Sequence, residues 1–160
     1  MENEKFTLFW NGPYSQWNMA PFTVDEVEYN CCEQYMMAQK AVMFMDDKMF
    51  DEIMASNSPR QQKACGRKVK NFNAADWDSK ARDIVYKANY AKFSQNKDLL
   101  KILMNTKGTT LVEASPYDKI WGIGMKSDNP KAQNRETWNG KNWLGEAITK
   151  VREDLIKEKE

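Results

Sequence analysis

From Asn30 to Phe44 the chain is apolar on almost every side of a helix, with Met36, Met37, Val42, Met43 and Phe44 spread around it. A helix apolar all round is a buried one, so the rest of the fold has to be built around this segment. Asn30 followed three residues later by Glu33 has the pattern of a capping box and marks the expected helix start. Glu33 and Lys40 interrupt the apolar surface. Seven residues turn a helix by about 700°, so the two side chains point within ~20° of one direction and sit ~10 Å apart along the axis. Burying either charge alone is costly. Two readings follow: a polar pocket cut into the core serves both groups, or Glu33 caps its helix and Lys40 snorkels to solvent.

The remaining pattern is that of an α+β fold: a single compact, mainly helical domain over residues 1–160 with a few short strands. Phe6 to Trp10 reads as a strand ended by Asn11-Gly12-Pro13, and Phe22-Thr23-Val24 with Val27-Glu28-Tyr29 reads as a hairpin. Ser58-Pro59 opens a helix that stops near Gly66. Helical spacing of Trp77, Ile84, Val85 and Ala88 predicts a long helix from Ala75 to Phe93, and another runs from Asp98 to Met104. Thr109 to Glu113 is a strand candidate. Lys126 to Lys141 is polar and reads as a long loop, of the kind that is functional or mobile. Asn142 caps a last helix that frays at the C-terminus.

Composition narrows the chemistry. The 160 residues contain no histidine, which excludes a Ser-His-Asp triad, a Cys-His dyad and any imidazole acid, base or metal ligand. Lys plus Arg number 24 against 23 Asp plus Glu, so the net charge of +1 gives no broad attraction to nucleic acid or acidic membranes. Cys31, Cys32 and Cys65 make neither a disulfide framework nor a zinc spacing and read as reduced, buried thiols. No metal site and no cofactor are expected. Met1 to Lys5 lacks the character of a secretory leader and no apolar run approaches ~18 residues, so a cytoplasmic, non-membrane protein is expected.

Beyond Glu33 and Lys40, two groups of residues could carry chemistry. In Asp118-Lys119-Ile120-Trp121-Gly122-Ile123-Gly124 the glycines allow close backbone approach, Trp121 could stack on a planar base and Asp118 could stabilise positive charge. The same pattern suits a tryptophan packed beside a tight turn. Trp77, between Asp76 and Asp78, is open to the same two readings. Arg60, Lys63, Arg67, Lys68 and Lys70 could hold a phosphate or form a solvated surface.

Tyr29-Asn30-Cys31-Cys32-Glu33-Gln34-Tyr35-Met36-Met37-Ala38-Gln39-Lys40 resembles the signature of the NADAR, or YbiA-like, family, which runs Tyr-Pro-Thr, Glu-His, aromatics and Gln-Ala-Gln-Lys. The resemblance continues in order through Ser58-Pro59, Gly66-Arg67, Trp77, Lys92-Phe93 and Leu111-Val112-Glu113. It then takes in Asp118 with Trp121-Gly122-x-Gly124, and Gly140-Lys141-Asn142-Trp143-Leu144-Gly145 leading to Val151-Arg152, so that it spans about residues 6–155. It implies a helix-rich α+β fold and an N-glycosidase acting on a ribose–nitrogen bond. The implied substrate is an ADP-ribosylated guanine or related nucleotide, with nucleic acid as a carrier, or else a phosphorylated riboflavin-pathway intermediate. Glu33, Lys40 and Asp118 match catalytic positions. Trp77, Trp121, Gly122, Gly124, Asn142 and Arg67 match substrate-binding ones. Gln34 and Met37 stand where the family has His and Gln, and Ile123 where some members have Asp. These departures support an alternative, a non-catalytic ADP-ribose reader. No oligomeric state is implied.

Overall fold

A computed structural model describes residues 4–159. Met1–Asn3, part of the stretch read as lacking a leader, and Glu160, at the end of the last helix, lie outside the described residues. Contacts divide the chain into two compact units. One is Gln16–Asn96, and the other joins the segment up to Ser15 with the chain from Lys97 onward.

Gln16–Asn96 is built around helix α1 (Cys32–Met43), whose neighbours are α2 (Asp47–Ala55), α3 (Pro59–Arg67) and α4 (Ala74–Gln95). Its buried residues run from Cys32 through Ala38 without a break and include Ala41, whereas Val42, among the apolar residues expected to be covered, is exposed because the last turn of the helix emerges from the core. A β-hairpin precedes it: β2 (Phe22–Val24) pairs antiparallel with β3 (Val27–Tyr29). Asp25 (φ 52°) and Glu26 (φ 69°) form the two-residue turn, both in the left-handed region that matches the twist of the strands. Gly66 lets α3 lie against α1, because a Cβ there would collide with the sulfur of Met37.

The start of α1 differs from the capping-box expectation. Cys31 occupies the cap position and no side chain caps the helix. Asn30 instead donates its side-chain amide to Ser56 O (3.0 Å) and accepts from Gln62 Nε2 (3.1 Å). The amide of Glu33 is satisfied by the carbonyl of Gln16 (3.0 Å). Helix α2 was not evident from sequence. Met45 (φ 58°) breaks α1 from it, and Asp46 caps it by accepting from Met49 N (3.1 Å) while its second oxygen accepts from Lys70 N (2.9 Å). Those two amides hold the Asp46 carboxyl below the usual range.

In the other unit β1 (Phe6–Phe9) runs parallel to β4 (Thr110–Glu113), and α6 (Trp143–Glu158) packs on β4. Gly145 permits that packing, since a Cβ would strike the carbonyl of Leu111. Buried Arg152 on α6 donates to Thr106 O (2.8 Å) and Thr109 O (2.6 Å), which ties down the connection from α5 (Lys97–Met104) into β4. The polar stretch after Met125, read as one long loop, contains regular structure. It folds into two short 3₁₀ turns, Pro130–Gln133 and Arg135–Thr137. Ala132 joins Val112, Ala114, Ile123 and Met125 in a small core on which Trp138 packs. Asn129 and Asn134 cap the turns, and the indole of Trp138 donates to Ala132 O (2.8 Å). Side-chain caps and two apolar anchors order a segment whose composition alone reads as solvent-facing.

Candidate active site

Within Gln16–Asn96, α1 carries Glu33 in its first turn and Lys40 in its last. Glu33 is buried, with 6% of its surface exposed, and its Oε1 accepts a hydrogen bond from the indole Nε1 of Trp17 (3.0 Å). Lys40 is half-buried. Its ammonium lies 4.5 Å from the ring centre of Phe72 and 6.0 Å from that of Trp77, whose indole is itself buried. Trp77 is set there by the start of α4, where Asn73 caps by accepting from Asp76 N (3.0 Å). Burial pushes the Lys40 amine below the ordinary lysine range, the Glu33 charge opposes that shift, and Arg67 reinforces it. The expected one-sided spacing of Glu33 and Lys40 thus leaves the amine in the field of the Glu33 charge, with Trp77 beside it and Arg67, exposed in the last turn of α3, acting on it in the opposite sense.

The three departures from the family signature each have a place in the fold. Gln34 Oε1 accepts from Asn30 N (2.8 Å), and its Nε2 donates to Ile53 O (3.1 Å) and Ser56 O (3.2 Å). Those bonds tie the α1 start to the end of α2. Met37 supplies the sulfur against which Gly66 packs, and Ile123 is a fully buried member of the small core. None of the three takes a polar group away from Glu33 or Lys40.

Sequence reasoning missed Trp17 and Phe72 and gave no role to Lys92. Trp17 and Phe72 sit outside any helix or strand, where no periodicity marks them. Lys92 is fully buried on α4, and burial lowers its amine from the usual range. The thiols of Cys31 and Cys32 lie in its field and in that of Glu33. Burial raises them to about 11 and about 12, so both stay protonated at neutral pH. All three cysteines are buried and unbridged. Among the described residues no three Cys, Asp or Glu side chains converge to hold a metal ion. No helix among them is long and apolar enough to cross a membrane.

The second predicted group lies in the other unit. Asp118 Oδ1 accepts from the amides of Ile120 (2.9 Å) and Trp121 (2.8 Å), folding the loop over its own carboxylate. Gly124 closes that turn at φ 74°, with its amide on Asp118 O (3.1 Å). The carbonyls of Ile120, Trp121 and Gly122 accept from the amides of Trp143, Leu144 and Asn142 (all 3.1 Å), which satisfies the open start of α6. Asn142 is at the expected helix start, in a left-handed conformation (φ 55°), but its side chain does not cap. Fully buried, it accepts from Glu113 N (2.9 Å) and donates to Leu111 O (3.0 Å) on β4. Trp121 stands edge-on to Trp143, with ring centres 5.6 Å apart.

The NADAR domain profile matches residues 6–156. N-glycosidase R617 of Acanthamoeba polyphaga mimivirus is 41% identical over 167 residues, spanning 96% of this chain and 98% of that protein. N-glycosidase YbiA of Escherichia coli strain K12 is 32% identical over 148 residues, spanning 92% and 84%. The NMR structure of E. coli YbiA superposes with a TM-score of 0.80 at 29% identity, covering 99% of this chain and 89% of that one. A mainly helical α+β fold is common to both, and the chain belongs to the NADAR domain family.

Proposed function

We propose that the protein is an N-glycosidase that cleaves a ribose–nitrogen bond, with an ADP-ribosylated guanine or related nucleotide as substrate. The observation that carries this reading is the Glu33–Lys40 pair: a buried carboxylate held by an indole N–H and, on the same helix, a half-buried amine lowered by burial between Phe72 and Trp77. Relatives named N-glycosidase that span nearly the whole chain give it further support.

Breaking the bond sends its electron pair to the departing nitrogen and leaves positive charge at the anomeric carbon. A preorganised carboxylate stabilises that charge without imidazole. In the hydrolytic route Glu33 takes a proton from water, whose oxygen bonds to the anomeric carbon as the base leaves, and that proton then passes to the departing nitrogen and restores the carboxylate. In the covalent route the neutral Lys40 amine bonds to that carbon as the base leaves. The ring oxygen then departs as a hydroxyl to give a Schiff base, and water releases the sugar and regenerates the lysine. A lowered Lys40 supplies more of the neutral amine at neutral pH than an ordinary lysine would.

Asp118 is the second carboxylate of this reading. With Oδ1 engaged by two loop amides, it acts by ordering the Trp121 loop and through its other oxygen. Trp77 and Trp121 shape subsites for flat groups, Gly122 and Gly124 allow close backbone approach, Arg67 meets phosphate, and Asn142 holds the loop to β4. A phosphorylated riboflavin intermediate is the second substrate reading, favoured by 32% identity to the maize riboflavin biosynthesis protein PYRR, of which the match covers only 19%. A non-catalytic ADP-ribose reader is the alternative, motivated by Gln34, Met37 and Ile123 standing in place of the usual residues, although all three also serve the fold. Incubating the protein with each substrate and identifying products by mass spectrometry separates these readings. Release of guanosine and ADP-ribose from ADP-ribosylated guanosine is expected. ADP-ribose binding by calorimetry without turnover of either substrate would overturn the enzyme reading.

A further inference from the structure

Glu33 is held by a residue outside its own helix. Trp17 donates its indole N–H to Oε1, yet 43% of Trp17 is exposed where Glu33 is almost fully covered. The indole therefore has its polar edge on the carboxylate and a large part of its carbon surface in solvent. Single exposed aromatics are ordinary on protein surfaces. Here, however, the backbone that carries the ring is fastened on two sides. The Gln16 carbonyl accepts from the Glu33 amide (3.0 Å), and the Gln16 side chain accepts from Asn89 Nδ2 on α4 (3.0 Å). Lys63 places its ammonium 6.0 Å from the Trp17 ring centre. An aromatic platform fixed one hydrogen bond from a reacting carboxylate and flanked by a cation suits a flat, electron-rich ring joined to a phosphate-bearing ribose.

We propose that Trp17 positions Glu33 through its indole N–H and stacks the departing purine on its exposed face, which makes Trp17 a specificity residue of the site. The proposal rests on the reading of Glu33 as the reacting carboxylate. The other charged groups in the neighbourhood are Lys63 on α3 beside the Trp17 ring, Lys40 on α1 and Lys92 on α4, with the protonated thiols of Cys31 and Cys32 in the field of Glu33 and Lys92.

Two variants separate the two tasks. Trp17→Phe keeps the ring and removes the donor; Trp17→Ala removes both. Carbon-detected NMR titration of the Glu33 carboxyl needs no turnover. Loss of a hydrogen bond to the ionised form is expected to raise its midpoint by about one pH unit in Trp17→Phe. On ADP-ribosylated guanosine, Trp17→Phe is expected to lower kcat about tenfold with KM nearly unchanged. Guanosine monophosphate binding, read by calorimetry, is expected to weaken about fivefold or more in Trp17→Ala and little in Trp17→Phe. An unchanged Glu33 titration in the Phe variant overturns the positioning role. Equal guanosine monophosphate binding by wild type and Trp17→Ala, or none by the wild type, overturns the stacking role. Failure of the N-glycosidase reading shows separately, as no product from the wild type with either substrate.

Discussion

The α1 cluster around Glu33 and Lys40 and the Asp118–Gly124 loop both carry acidic, aromatic and small residues, and the molecule uses them differently. On α1 the charged groups are met by side chains: an indole N–H on Glu33, and two aromatic rings beside Lys40. In the loop, Asp118 meets main-chain amides, and the carbonyls from Ile120 to Gly122 meet the start of α6. Side chains on a buried helix can be held in a reactive state by their surroundings, because burial and neighbouring charge set their protonation. A loop whose polar atoms pair with backbone is a scaffold, and its worth lies in holding Trp121 still. In the proposed function the chemistry belongs to α1 and the geometry to the loop.

That contrast is testable by the size of effects. Glu33→Gln keeps an oxygen for the Trp17 indole but removes the charge, and is expected to lower kcat by about 10²–10³-fold with an unchanged melting temperature. Asp118→Ala is expected to cost less than a tenth of that in rate, as a measured kcat ratio. Equal losses from the two would erase the distinction between the regions. Lys40→Ala is expected to abolish any adduct that borohydride traps with wild type. The sign of the pH dependence follows from its lowered amine: the neutral form grows as pH rises, and its midpoint lies below that of an ordinary lysine. Trapping by the wild type should therefore increase with pH and level off earlier than for a free lysine side chain.

Asn142→Ala leaves the Glu113 amide and the Leu111 carbonyl without their partner. Chemical denaturation should show a loss of about 2–4 kcal/mol, with activity per folded molecule largely kept. The smallest effect concerns Asp46. Its folded carboxyl titrates below the unfolded one, so its contribution to stability is present above the unfolded value and fades as pH falls through the folded one. Asp46→Asn should flatten the acid limb of a stability profile and leave the α1 chemistry unaffected.

Much of this was legible in the sequence because it is local. The hairpin, the Ser58-Pro59 helix start and the shared face of Glu33 and Lys40 all follow from spacing within one element. What was not legible depends on partners distant in sequence. Asn30 looked like a cap, but Ser56 and Gln62, brought near by α2 and α3, compete for its side chain. Trp17 meets Glu33 across 16 residues with no periodic signal. The segment after Met125 reads as a loop because its apolar anchors, Ala132 and Trp138, are few and lie six residues apart. Helix α2 is short and buries only Met49 and Ile53, too few to stand out as a pattern.

The most direct measurement is mass spectrometry of ADP-ribosylated guanosine after incubation with wild type and with Glu33→Gln at matched concentration of folded protein. The account predicts guanosine and ADP-ribose from the wild type, and intact substrate from Glu33→Gln over the same interval. Equal release by the two proteins would contradict it.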